Sequence, residues 1–410
     1  MKCTTAIFAT LSIVAIYSCS NNADEKQLTA TAETAKGTYA YDRKFLKDHN
    51  KQIVELQNEE GNARVLLSPD YQGRVITSTA AGDTGTSFGW INYGLISSSE
   101  TKKQFNPVGG EERFWLGPEG GQYSVYFKKG DSFNIAHWQV PPAIDTIPFH
   151  LASSSKNEAV FTTLASLTNY SGTVFSIAVE RKIALLDKQA VEQKLNMPLP
   201  ASVKWIGFST TNRVTNTGNT DWKKQKGLLS IWLLSMMTPS PETTVIIPFS
   251  PGKDARKYIT DNYFGTIPPE RLQVKDSVLY FTCDGKYRSK IGLSPMIAKP
   301  IAASYDFKNN VLTVLFLHVD KAGRYVNSKW EMQKEPYKGD VVNSYNDGPL
   351  ADGTQMGPFY EIESSSPSSE LKKGEIQEYQ QSMCHFQGDY NTLKGMVKQL
   401  LSVDLDTIKH

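Results

Sequence analysis

The chain has 410 residues, with 44 Lys and Arg against 42 Asp and Glu and a formal net charge of +2. Charges this balanced give no electrostatic case for a nucleic-acid partner. Hydrophobic residues make up 40%, enough for a large core, and no zinc spacing, phosphate-binding loop, GxSxG elbow or dinucleotide fingerprint is present.

The chain begins MKCTTAIFATLSIVAIYSCSNNADEKQ. Lys2 precedes an uncharged, mostly apolar run from Ala6 to Tyr17. That run is shorter than the roughly 20 apolar residues needed to cross a bilayer, and it fits a secretory signal peptide. Ile16-Tyr17-Ser18-Cys19 resembles a lipobox, which implies lipid on Cys19 and cleavage before it. The alternative is an ordinary signal peptide with a chance cysteine. Residues 1–18 are therefore read as a lipoprotein signal peptide. Residues 19–40 are polar and rich in Ala and Thr, and read as a flexible tether. Asp24-Glu25 weakly resembles the acidic export signal of Bacteroidetes surface lipoproteins. The expected location is the outer membrane or cell surface, lipid-anchored, with the membrane as one partner.

Residues 41–410 read as a single all-β domain. Runs such as ARVLLSP, QYSVYFKKGD, VFSIAVERKIALLD, GLLSIWLLSMM and NVLTVLFLHVD recur between turn residues. Many alternate apolar and polar side chains, as strands with one face on a core do. With so many strands and few helical spacers, the expectation is a sandwich or barrel rather than a βαβ fold. Residues 253–262 could form a short helix. The segment DYNTLKGMVKQLLSVDLDTIK places Leu393, Met396, Val397, Leu400 and Leu401 on one helical stripe and predicts a C-terminal packing helix. Cys283 and Cys384 could pair in an oxidising compartment or stay as buried thiols.

Two stretches look like a site. In FNPVGGEERFWLGPEGGQYSVYF, two Gly pairs and a Pro bracket Arg113, Trp115 and Glu119. Glycines allow tight turns and close backbone approach. An aromatic face stacks on sugar C–H groups, and charged side chains bond hydroxyls directionally. The structural alternative is a hairpin with an Arg–Glu pair and a core Trp. In the second stretch, Trp330, Asn346 and Asp347 cluster near turns, and Glu361 and Glu363 sit two apart on a strand, so both face one way. Their flanks, Phe359, Tyr360 and Ile362, suggest burial, and a buried carboxyl with a raised pKa suits acid–base work. Same-face neighbours could also meet the roughly 5–5.5 Å carboxyl separation of a retaining glycosidase. Asp347, Asp352 and one of these glutamates could instead hold Ca²⁺, although no EF-hand spacing supports it; otherwise no cofactor is expected. His137, Trp138, Trp232, Arg288, Lys290 and His318 are lesser candidates, each more often structural in a β protein.

Together GGEERFWLGPEGGQ, MTPSPETTVIIPF, DGKYRSKIGLSP, GDVVNSYNDGP and FYEIESSSP resemble an uncharacterised family of Bacteroidetes lipoproteins in the galactose mutarotase-like superfamily. The resemblance covers nearly the whole body. It implies a super-β-sandwich with a C-terminal α-helix and a broad cleft for carbohydrate. FYEIESSSP is similar to the late strand that carries the catalytic glutamate of aldose 1-epimerases. It implies Glu363 as the base, with Glu361 as fallback. Arg113, Trp115, Glu119, His137, Trp330, Asn346 and Asp347 are the residues expected to bind substrate. In those enzymes a histidine protonates the ring oxygen. Here the corresponding region, VTNTGNTDWKKQKGLLSIWLLSMM, has no histidine; Trp232 lies nearest, and His137 or His318 would have to substitute. A missing general acid forfeits roughly 10²–10⁴-fold. The expectation is therefore a lipoprotein that binds carbohydrate or acts on it as an epimerase, hydrolase or lyase, with a non-catalytic glycan-binding or structural envelope protein as the alternative.

Overall fold

The computed structural model describes Met1 and residues 35–408. The lipobox-like segment, Cys19 and most of the expected tether lie outside the described residues. The folded body starts slightly before residue 41: helix α1 (Tyr39–Asp48) is capped by Thr38, whose side chain accepts from the Tyr41 amide.

After α1 come β1 (Val54–Gln57), β2 (Arg64–Ser68), β3 (Arg74–Thr79), the short helix α2 (Tyr93–Ser98) and β4 (Arg113–Gly117). Next are β5 (His150–Ser154), β6 (Glu158–Thr168), β7 (Val174–Leu185), helix α3 (Lys188–Leu195), β8 (Lys204–Asn216), β9 (Ser230–Met237) and β10 (Thr243–Pro248). Then follow β11 (Ile259–Thr260), β12 (Leu272–Lys275), β13 (Val278–Thr282), β14 (Ser289–Leu293), β15 (Ile301–Asp306) and β16 (Val311–Leu317). Last are β17 (Val342–Asn346), β18 (Tyr360–Ser365), β19 (Ile376–Gln387) and helix α4 (Tyr390–Leu401). Two expected elements differ. Residues 253–262 form a 3-10 turn at Ala255–Tyr258 followed by β11, in place of a helix. The QYSVYF run is not a strand, because Tyr126 and Phe127 turn inward as single anchors of a loop.

The strands make an all-β sandwich. A ten-stranded antiparallel sheet runs β12-β13-β10-β15-β16-β19-β8-β7-β6-β5, and a six-stranded sheet runs β11-β14-β17-β18-β9-β4. Strand β19, late in the chain, pairs with β16 on one side and β8 on the other, joining the two halves of the large sheet. Alternate side chains of each strand face the layer between the sheets. Phe114, Ile231, Leu233, Ile291 and Ile362 of the small sheet meet Phe161, Ile177, Phe208, Leu279 and Met383 of the large one in one core. Arg181 on β7 and Glu112 beside β4 pair across this layer at 3.0 Å, with both side chains fully buried. Asn212 accepts a further bond from the same guanidinium.

The back of the ten-stranded sheet is covered by helices. Leu393, Met396, Val397 and Leu401 of α4 are buried, as the periodicity predicts, and pack with Val191 and Leu195 of α3 against Leu312, Val314 and Phe386. Asp389 caps α4 by accepting from the Thr392 amide. Each such aliphatic side chain contributes about 1.5–3 kcal/mol by leaving water. A separate three-stranded sheet, β1-β2-β3, is closed by α1 and α2. Both body cysteines are free and buried, and burial pushes the Cys384 thiol up to about 12.

Candidate functional site: a charged aromatic cleft

The outer face of the six-stranded sheet carries the site, and strand register explains its membership. Arg113 on β4 pairs with Leu234 on β9, Leu234 with Glu363 on β18, and Glu363 with Asn343 on β17. Two residues along, Met236, Glu361, Tyr345 and Lys290 form the next row. Residues facing each other across antiparallel strands share a face, so Arg113, Glu361, Glu363 and Lys290 stand together. Glu361 and Glu363 thus share a side, as their spacing predicts.

The cleft above this face has a volume of about 970 Å³. A small floor pocket of about 100 Å³ lies beneath it, bounded by Arg113, Trp115, Glu119, Trp232, Lys290 and Glu361 among others. Loops make the walls. At Gly120, an added Cβ would fall 2.2 Å from the Lys329 carbonyl oxygen, so only glycine lets the Glu119 loop lie against the Trp330 loop. Gly110 has φ +114 and a Cβ there would strike Arg74; its amide donates to Trp90 O at 2.8 Å, which sets the entry into β4.

Aromatic rings line the cleft. Trp138 and Trp330 stack at 5.9 Å, and Trp115 meets Trp232 edge-on at 5.5 Å. Such faces suit the C–H surface of a sugar ring. The Trp115 and Trp138 indole N–H groups are buried without a partner among the described residues. A buried polar group left unpaired costs about 1–3 kcal/mol, and both rings border the floor pocket.

On the floor of the cleft the charged groups form two ion pairs, with the Glu119 carboxyl beside them. Arg113 Nη2 donates to Glu361 Oε1 at 2.8 Å, with the guanidinium 4.2 Å over the Trp115 ring. Burial pushes the Glu361 carboxyl up to about 7; Glu363 and Asp347 add to this, while Arg113 and Lys290 oppose it. Lys290 Nζ donates to Glu363 Oε2 at 2.9 Å, and Trp232 Nε1 donates to the same oxygen at 2.9 Å. Burial pulls the Lys290 ammonium down, but Glu363 and Glu119 together raise it above the usual lysine range. Glu119 is half-buried in the cleft wall, and its carboxyl is raised by burial and by Glu363, against Lys290 and the Trp330 indole.

Three expected site residues are placed differently. Glu363 is fully buried and does not border the cavity; Lys290 and Trp232 occupy it, so Glu361 is the carboxyl that opens to the floor pocket. Asn346 lies on the other face of β17, where it accepts from the Gly285 amide and donates to Tyr287 O at 2.9 Å, so it pins a turn. His137 is exposed and its ring meets Ser132 O rather than the cleft. His318 is also exposed, at the end of β16. Among the described residues no histidine borders the cleft. Trp330 and Asp347 do border it, and Asp347 accepts from Tyr345 OH at 2.8 Å and from the Gly357 amide. Among the described residues no cluster suits a metal ion, and Asp352 is exposed on a turn with Thr354. Phe105, Phe264 and Met356 complete the walls and carry no sequence signal beyond being large and apolar.

The fold and cleft define a β-sandwich protein with an aromatic, carboxylate-bearing groove on the face of its smaller sheet. By sequence the chain belongs to a family of unknown function, DUF6786, whose family model matches residues 37–410. No curated protein matches it. Solved structures similar to it include galactose mutarotase-like proteins. One, from Lactobacillus casei, is 11% identical with a TM-score of 0.47, covering 82% of this chain and all of that one (100%). A galactose mutarotase related enzyme from Lactobacillus acidophilus is 12% identical, TM-score 0.44, covering 82% and 97%. The Slr1438 protein of Synechocystis is 12% identical, TM-score 0.49, covering 83% and 96%. What the cleft can do rests on its own residues.

Proposed function

We propose that this chain is an envelope lipoprotein whose cleft binds saccharide, with Glu361 as the group that exchanges protons with it. The observation that carries the proposal is the floor pocket, where a carboxyl with a pKa of about 7 sits beside stacked tryptophans and unpaired indole donors. An acid or base works best with a pKa near the operating pH. Glu361 fits that requirement, and Glu119 supplies a second carboxyl in the wall. Arg113 orients Glu361 and keeps its ionised form accessible. The export and lipid anchoring come from the lipobox-like Ile16-Tyr17-Ser18-Cys19, with the outer membrane or cell surface of a Bacteroidetes-type envelope as the site of action. Among the described residues no histidine borders the cleft, which favours a second reading, a glycan-binding module without turnover.

A glycan-array screen of the full chain, followed by polarimetry and product analysis on any hit, tests both. Retention of at least one saccharide, lost in Trp330→Ala, is the expected result. Anomer interconversion or bond cleavage abolished by Glu361→Gln identifies turnover; binding that survives Glu361→Gln with no chemical change identifies the module. Failure to retain any saccharide sinks the proposal.

A further inference from the structure

We infer that the cleft takes an acidic saccharide, one carrying a carboxylate or a sulfate, with Arg288 and Arg113 as the partners of its anionic group. The inference rests on the saccharide reading above and narrows it. Its basis is the charge left over once the internal pairs are removed. Lys290 is matched by Glu363, and Arg113 meets Glu361 through Nη2 alone. Four further cations border the cleft: Lys102, Lys103, Arg288 and Lys329. None of these four forms an ion pair within 4.0 Å among the described residues. Arg288 lies over the Phe264 ring at 3.6 Å and donates through Nε to Tyr345 OH, which holds the guanidinium in place and leaves its two terminal nitrogens without a hydrogen-bond partner among the described residues. Arg113 spends only Nη2 on Glu361; its Nε and Nη1 are buried with no partner. Both arginines border the floor pocket. A planar guanidinium fork matches carboxylate and sulfate oxygens.

The acids in the cleft do not cancel this. Glu331 is exposed at the rim. Asp347 already accepts from Tyr345 and Gly357. Glu119 is one carboxyl against the four unpaired cations, and burial raises it and Asp347 above the usual carboxylate range. Unpaired cations at a partly enclosed cleft attract an anion within a screening distance of about 8–10 Å.

The test is calorimetric titration of the full chain with three probes: cellohexaose (neutral), a hyaluronan hexasaccharide (carboxylate only) and a κ-carrageenan hexasaccharide (sulfate only). Binding of one acidic probe at least ten-fold tighter than cellohexaose, weakening as salt is raised, is the expected result; which acidic probe binds tells carboxylate from sulfate. Arg288→Met is expected to reduce that affinity about ten-fold. The rim double variant Lys102→Gln/Lys103→Gln, on exposed side chains, is expected to reduce it about three-fold and serves if Arg288→Met does not fold. Cellohexaose binding as tightly as both acidic probes overturns the inference and leaves the saccharide reading standing. If no probe binds and the glycan array is also blank, both fall.

Discussion

Arg113 and Glu361 are 248 positions apart in the chain, yet Nη2 and Oε1 meet at 2.8 Å with both side chains buried. Each reaches the pair through β9, which lies between β4 and β18. The guanidinium and the tryptophan beneath it make one wall of the floor pocket, and the carboxyl makes another.

The pH dependence follows from Glu361. A carboxyl raised from 4.5 to about 7 by burial favours the folded state fully below pH 4.5, where folded and unfolded chains both hold the proton. Between pH 4.5 and 7 the unfolded chain ionises first, so stability falls as pH rises through that window. Each pKa unit corresponds to about 1.4 kcal/mol, so the loss is on the order of 3 kcal/mol. Thermal unfolding of wild type and Glu361→Gln across pH 4–8 checks it: the variant should show a flatter curve over this window. Identical slopes would remove the case for a neutral carboxyl in the floor pocket.

Arg181 and Glu112 tie the two sheets together through a fully buried ion pair. Removing one partner of such a pair leaves an uncompensated charge and costs about 3–5 kcal/mol. Arg181→Met should therefore destabilise by that amount in urea unfolding, and Arg181→Met with Glu112→Leu should recover a large part of it. A double variant no better than the single would mean that packing, rather than the stranded charge, dominates.

Trp330 stacks on Trp138 at the mouth of the cleft and borders both the cleft and its floor pocket. Trp330→Ala is expected to weaken binding of any saccharide hit by roughly ten-fold, about 1.4 kcal/mol, with unchanged circular dichroism. An unchanged Kd would place the ligand elsewhere.

Cys19 is the residue proposed to carry the anchor. Each buried lipid methylene is worth about 0.8 kcal/mol, so two or more chains hold a protein stably on a membrane. Wild type expressed in a bacterial host should partition into detergent in a Triton X-114 separation, and Cys19→Ala should stay in the aqueous phase. Intact-protein mass spectrometry should find diacylglycerol on the wild type alone. An unlipidated wild-type N-terminus would refute the anchor.

Much of the body is legible from local pattern. The alternation in VFSIAVERKIALLD became β7, with Phe175, Ile177, Val179 and Ile183 buried. The apolar stripe near the C-terminus became α4. Helix α1 was missed because its stripe is sparse, with only Tyr39, Asp42 and Leu46 buried. In the site, Arg113, Trp115, Glu119, Trp330 and Asp347 could be singled out from glycine-rich or turn-rich surroundings. Lys290 and Arg288 could have ranked higher, since their two-residue spacing at the start of β14 lets both reach one side of the sheet.

What the sequence alone determined was periodicity: where most of the strands and the C-terminal helix lie, and that Glu361 and Glu363 point the same way. These follow from the short repeats of strand and helix, which depend on neighbours only a few positions away. Only the tertiary structure decided which glutamate meets the cavity. Lateral strand order comes from long-range pairing, such as β19 inserting between β16 and β8 and β9 lying between β4 and β18. That order put Lys290 and Trp232 on Glu363 and left Glu361 with Arg113 at the pocket floor. No local spacing encodes which distant cation a buried carboxyl will meet, because the meeting is set by burial of the whole sheet face rather than by the strand that carries it.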